Sequence, residues 1–184
     1  MPKFVVLLRG VNVGKAKRVP MADFRAMLEG LGYTEVSTLL NSGNAVFSAA
    51  KGTAAKHAAG IAAALKQQMQ VEVPVIVKTA KEMAAIVAEN AIKVDADLHA
   101  RLLVAFTQES EALAKLAGIE PLLHPDERFA IGSHAAYLFC AVGILESKAG
   151  EAMLGKIGRG ATTRNWATTL KLLALLDARD AQEA

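Results

Sequence analysis

The sequence predicts an α+β protein made of two ferredoxin-like units, each with the order β-α-β-β-α(-β), and three observations lead there. Apolar runs of strand length alternate with stretches of helical period. Turns rich in Gly, Asn and Pro separate them, and the same order of elements begins a second time at Arg101. The units are expected at 1–92, including a linking helix, and at 93–184, with an extra C-terminal helix. No low-complexity linker parts them, so they are expected to pack as one compact body, with 93–100 as the boundary.

Residues 4–8 are continuously apolar and read as a buried strand. A Gly- and Lys-rich loop runs on to Pro20. Met21, Phe24, Met27, Leu28 and Leu31 then form a helical stripe that Gly32 closes. Short strands at 36–40 and 45–48 flank the hairpin turn Asn41-Ser42-Gly43-Asn44. Thr53 is placed to cap a helix reaching Gln70, and 73–77 is the next strand. In the second half, 81–90 reads as the linking helix, 101–106 as a strand and 109–117 as a helix stopped by Gly118. Strands at 128–131 and 135–140 flank Gly132-Ser133-His134. Helices at 147–157 and 164–178 follow, the last capped by Thr162 or Thr163 with Trp166, Leu170, Leu173 and Leu176 inward. No last strand is evident for the second unit.

The 184 residues are 53% apolar but only 5% aromatic, and Ala-rich helices follow from that. Apolar runs such as 4–8 have strand length, well short of the roughly 20 residues a membrane span needs. Lys3 precedes only five apolar residues before Arg9, too few for a signal peptide. The single cysteine, Cys140, excludes an internal disulfide and suits a reducing compartment, so a cytoplasmic protein without membrane association is expected. Net charge is +3 and unevenly spread. Lys3, Arg9, Lys15, Lys17 and Arg18 share residues 1–18 with no acid, while 148–171 hold Lys148, Lys156, Arg159, Arg164 and Lys171 against Glu151 alone. Two basic ends that met would attract anions.

Gly10-Val11-Asn12-Val13-Gly14-Lys15-Ala16 after a strand invites a P-loop reading. That motif needs four residues between its glycines and a Ser or Thr after its Lys; here there are three, and Ala16 follows. A nucleoside triphosphatase is rejected. A right-handed helical crossover makes the first two strands of such a unit run in the same direction, so their following loops emerge at one sheet edge. Arg9, Asn12, Lys15 and Lys17 should then face Ser42 and Asn44, a set suited to phosphate or carboxylate. The competing reading is structural: Asn12 and Asn44 shape turns, the glycines permit positive φ, and Arg9 packs its stem. Near the other end, Arg164 in a first helical turn would oppose the helix dipole by up to about 1 kcal/mol. It should therefore hold a carboxylate, or an anion shared with the helix start. Asn165 lies beside it, and Trp166 docks the helix or stacks on a ligand.

These motifs together carry a resemblance. Leu7-Leu8-Arg9-Gly10-Val11-Asn12-Val13-Gly14, Ser42-Gly43-Asn44-Ala45-Val46-Phe47, Tyr137-Leu138, Ser147-Lys148 and Ala161-Thr162-Thr163-Arg164-Asn165-Trp166 occur in that order. The chain resembles, over essentially its whole length, a widespread bacterial domain-of-unknown-function family with an L-L-R-G-x-N-V-G start and a T-T-R-N-W end. The resemblance implies an α+β fold of ferredoxin-like halves and no established activity. One departure is the apolar stretch 140–146, where such proteins carry a polar Pro-Asp-Gly segment before Ser-Lys.

No constellation argues for a reaction. Cys140 ends an apolar strand and reads as a buried, inert thiol. His57, His99, His124 and His134 are scattered without metal-ligand spacing, and His57 is expected on the wet side of its helix. No metal or cofactor is assigned. Three readings stand. The first is a small anionic or phosphate-bearing ligand held by Arg9, Asn12, Lys15, Lys17, Ser42, Asn44, Arg164, Asn165 and Trp166. The second is nucleic-acid association through the basic ends, without the aromatic sheet face that base stacking uses. In the third, the motifs only hold the structure together. Oligomeric state is not legible in the sequence.

Overall fold

The computed structural model describes residues 1–15 and 17–183; Ala16 of the glycine loop lies outside them. The chain forms two compact units: Met1–Met83 together with the chain from Leu172 onward, and Ala84–Lys171.

In the first unit, Lys3–Leu8 (β1) is buried along its whole length. Met21–Gly30 (α1), Thr34–Leu39 (β2), Asn44–Ser48 (β3), Ala54–Met69 (α2) and Val75–Thr79 (β4) follow. The strands make an antiparallel sheet in the order β2-β3-β1-β4. Alternation puts Phe4, Val6 and Leu8 on the helix side of β1, where they share a core with Phe24 and Leu28 of α1 and Ile61 and Leu65 of α2. Thr53 caps α2 by accepting from Lys56 N at 3.3 Å. β2 begins two residues earlier than the sequence suggests, because Glu35 at φ 51° makes a bulge between Thr34 and Ser37.

Ala80–Glu89 (α3) opens with a capping box that the sequence reading missed: Glu82 accepts from Thr79 N at 2.8 Å, and Glu82 N donates to Thr79 Oγ1 at 3.1 Å. The compact units divide inside this helix, at Met83 and Ala84.

The second unit repeats the first. Leu102–Thr107 (β5) leads through Ser110–Lys115 (α4) and a 3₁₀ run, Leu116–Leu122, to Arg128–Ile131 (β6) and Ala135–Phe139 (β7). Lys148–Leu154 (α5) follows, capped by Ser147, whose Oγ accepts from Gly150 N at 2.9 Å. The strand missing from the sequence reading is Ala161–Asn165 (β8), which completes the order β6-β7-β5-β8. The Thr-Thr-Arg-Asn motif is therefore a strand paired antiparallel with β5, not the first turn of a helix. Its two β-branched threonines favour that conformation.

Trp166–Glu183 (α6) starts after the strand. Its cap is Asn165, whose Oδ1 accepts from Thr168 N at 2.9 Å, and not Thr162 or Thr163. Among the described residues, the buried positions are Trp166, Thr168, Thr169, Leu172 and Leu176, while Leu170 and Leu173 are half-buried. Among the described residues, no helix is long and apolar enough to cross a membrane.

Gly43 is the tightest point of the first unit. At φ 82° it is left-handed, and a Cβ there would lie 2.6 Å from Leu8 Cβ and 2.9 Å from Val11 Cγ2. Gly43→Ala is expected to lower stability by about 2–4 kcal/mol, combining backbone strain with overpacking. A Cβ on Gly14 meets nothing within 4 Å. Gly14→Ala should therefore lose only about 1–2 kcal/mol. Urea denaturation of the two variants checks the difference.

Candidate functional site

The loop at 9–20 and the turn at 40–44 do meet, as the crossover geometry requires. Leu8 N donates to Gly43 O at 2.9 Å, and Asn12 Nδ2 donates to Asn41 O at 2.8 Å. Asn12 also closes the loop on itself. Its Nδ2 donates to Val19 O and its Oδ1 accepts from Val19 N, both at 2.8 Å, as a strand partner's backbone would. A third bond, from Asn12 N to Lys17 O at 2.9 Å, completes the clasp. Both amide hydrogens of Asn12 thus go to chain carbonyls, and the side chain shapes the loop. Asn44 is fully buried and donates to Leu39 O at 3.0 Å, holding the turn.

The loop backbone is unusual. Gly10, Asn12 and Gly14 have φ of 66°, 57° and 55°, while Val11 and Val13 between them are not left-handed. Where the intervening residues are right-handed, such alternation turns successive N–H groups toward a common concavity, the geometry of an anion-binding nest. Among the described residues, no hydrogen bond engages the N–H groups of Gly10, Val13 or Gly14. The charges around it are cationic. Lys15, Lys17 and Arg18 are exposed and Arg9 is half-buried. Arg18 Nη2 reaches Gly14 O at 3.4 Å, and Lys17 Nζ donates to the Glu72 carbonyl. The Glu72 carboxylate lies 2.9 Å from Lys66 Nζ, which with Lys17 holds its pKa down. Ser42 is exposed at the turn.

Arg164, Asn165 and Trp166 lie in the second unit. Arg164 is almost wholly buried, opposite Val104, and donates to Thr162 Oγ1 at 2.9 Å and Thr163 O at 2.7 Å. Burial lowers its pKa to about 10, so it stays charged at neutral pH. Being on a strand, it faces no helix-dipole penalty. Asn165 is spent as the cap of α6, and Trp166 is buried.

Two further polar arrangements were not legible in the sequence. Glu89 accepts from Ser133 N at 3.0 Å and His134 N at 3.2 Å, with Tyr137 Oη also 3.2 Å away. Burial pushes the Glu89 carboxyl up, but those donors and His134 outweigh it and hold it below the usual range. Tyr137 donates to Ile86 O at 2.5 Å, and its pKa is raised, by burial first and then by Glu89. A Cβ on Gly132 would lie 2.3 Å from Glu89 Oε1, so a larger residue there would push the Glu89 carboxylate aside.

The second arrangement corrects an expectation: His57 is buried, not on the wet side of α2. Phe4, Tyr33 and Phe47 enclose its ring, with centroids 4.7, 5.1 and 5.6 Å away. Tyr33 Oη lies 2.9 Å from Nδ1, and Nε2 is buried without a partner among the described residues. Burial lowers the His57 pKa.

Cys140 is fully buried, and burial pushes its thiol up to about 11. Phe4, Phe47, Phe106 and Tyr137 are buried too, so those strand aromatics offer no open stacking face. Among the described residues, no three His, Cys, Asp or Glu side chains are grouped to hold a metal ion.

Two antiparallel four-stranded sheets with helices, repeated within one chain, define an α+β protein of two similar units. The family described as protein of unknown function (DUF1697) matches residues 1–137, and the chain belongs to it. A solved structure, that of the conserved bacterial protein SP0830 from Streptococcus pneumoniae, is similar at a TM-score of 0.71 and 24% identity. The match covers 95% of this chain and 98% of that one, and it supports the fold. No curated protein sequence matches the chain.

Asn12→Asp keeps the acceptor toward Val19 N but turns carboxylate oxygen toward two carbonyls. It is expected to cost about 1–3 kcal/mol, read from urea midpoints. His57 sets an acid limit. Its folded pKa lies below the unfolded value, so the unfolded state binds more protons as pH falls through about 6.5. Stability should be full above that pH and decline below it. Urea midpoints between pH 8 and pH 5 should fall less steeply in His57→Gln.

Proposed function

We propose that the loop joining β1 to α1 binds a small phosphate-bearing anion. The observation that carries this reading is the left-handed backbone at every second residue, Gly10, Asn12 and Gly14, a pattern suited to an anion-binding nest, together with the N–H groups of Gly10, Val13 and Gly14, which no hydrogen bond engages among the described residues. Arg9, Lys15, Lys17 and Arg18 supply positive charge around it, and residues 1–20 contain no acid. Phosphate suits such a site better than carboxylate, because three oxygens can take several N–H donors at once. Asn12 and Gly43 act in support: the first fixes the loop's curvature and the second lets the turn at 40–44 approach it.

The loop is not a P-loop, and nothing in it holds magnesium beside a triphosphate. The reading is therefore of binding and not of phosphoryl transfer. Arg164, Asn165 and Trp166 are left out of the site, since their polar groups have structural work in the second unit.

Titration with pyrophosphate and a sugar phosphate, followed by calorimetry and by amide chemical shifts of residues 10–15, tests the proposal. Saturable binding with shifts confined to that loop is expected. Lys15→Ala and Arg18→Ala should each weaken it roughly tenfold, as the loss of one charge-assisted contact does. Binding that strengthens with oligonucleotide length and leaves the loop amides unshifted would replace this reading with nucleic-acid association.

A further inference from the structure

Two aliphatic side chains stand in solvent beside the proposed phosphate loop. Val13 is 65% exposed and Leu40 is 56% exposed. They belong to the two segments that Asn12 joins through its bond to Asn41 O. Leu40 is also left-handed, at φ 58°, where glycine or asparagine is at home and leucine is strained. Both solvent and backbone disfavour a leucine there, and a residue held against both is a mark of function.

The surroundings indicate the partner. Lys15, Lys17 and Arg18 are exposed in the same loop, no Asp or Glu occurs at 1–20 or at 36–71, and the nearby acid, Glu72, is paired with Lys66. Aliphatic tips on joined segments, one of which carries three exposed cations, match a surface that is anionic at its face and apolar just beneath.

We propose that this end of the first unit docks on anionic lipid bilayers. Val13 and Leu40 enter the boundary between headgroups and acyl chains, and Lys15, Lys17 and Arg18 lie against lipid phosphates. The inference rests on the phosphate reading of the same loop and deepens it, making the phosphate that of a lipid headgroup. Docking is peripheral and reversible, since two aliphatic side chains and a few cations give modest affinity.

Sedimentation of the whole protein with vesicles tests it, comparing phosphatidylcholine alone with phosphatidylcholine plus phosphatidylglycerol. Binding to the mixed vesicles only is expected, weakening as salt is raised. Leu40→Gly and Val13→Ser should each reduce it by about tenfold. Leu40→Gly should also hold or raise the thermal midpoint, because glycine relieves the strained backbone. Three results overturn the proposal: no binding to mixed vesicles, equal binding to neutral ones, or unchanged binding by both variants. A protein that takes up pyrophosphate yet ignores vesicles loses the lipid inference alone. One that binds neither loses the phosphate reading as well.

Discussion

The geometry of the first unit depends on one topological constraint, the helical crossover from β1 through α1 to β2. It makes the two strands run in the same direction, while β3 slots between them and keeps every neighbouring pair antiparallel. Their carboxyl ends consequently share one sheet edge, and the loop after β1 lies against the turn after β2. Gly43 makes the approach close enough, and Asn12 makes it specific. The core beneath sets the direction of both segments, since β1 is locked by Phe4, Val6 and Leu8 against α1 and α2. The backbone at this edge is thus positioned by burial several residues away.

The first unit was largely legible because its elements carry their own signals. The apolar run of β1, the stripe of α1, the Asn-Gly turn and the Thr53 cap all operate over a few residues. The second unit was less legible where an element takes its identity from a distant partner. Ala161–Asn165 holds two threonines, an arginine and an asparagine, and lacks the alternation of a half-buried strand. It becomes a strand by pairing with β5, far away in sequence. His57 was misplaced for a related reason. An Ala-rich helix hardly distinguishes its faces, and the Phe4, Tyr33 and Phe47 cage is assembled by β1, β3 and the segment before β2. The meeting of the loop and the turn was foreseen from topology, but the left-handed backbone of Gly10, Asn12 and Gly14 was not, and neither were the exposed Val13 and Leu40. Asn12 tolerates a left-handed backbone without announcing it, and exposure of single aliphatics has no sequence signature.

The internal repeat gives a control for what the topology itself requires. Both units solve the same problem, yet residues 9–20 join β1 to α1 whereas Gln108 and Glu109 alone join β5 to α4. Two residues therefore suffice to turn from the first strand into the crossover. The turns after the second strands differ as well. In the second unit, Glu89 from α3 ties down Ser133 and His134 by their N–H groups. In the first unit, the corresponding turn is held by Asn12, a residue of the long loop itself. The longer loop is thus not a passive insertion, because it has taken over the fastening of its neighbour.

Most of what the fold spends at this edge it could have avoided. A short connection would spare the left-handed Asn12, and a glycine would spare the strain at Leu40. A βα connection of this length is well beyond the roughly 2–6 residues usual in such units. The second unit, with Glu109 in its short connection, carries neither a glycine loop nor a cluster of cations at the matching place. Length, left-handed strain and positive charge coincide in the first unit and are absent together from its counterpart, where the matching turn shares only an exposed aliphatic, Ile131. A structural explanation accounts for Asn12 and Gly43, which close the loop and seat the turn. It does not account for Lys15, Arg18, Val13 and Leu40, which stand exposed at the surface. The proposed binding role of the loop rests on those residues.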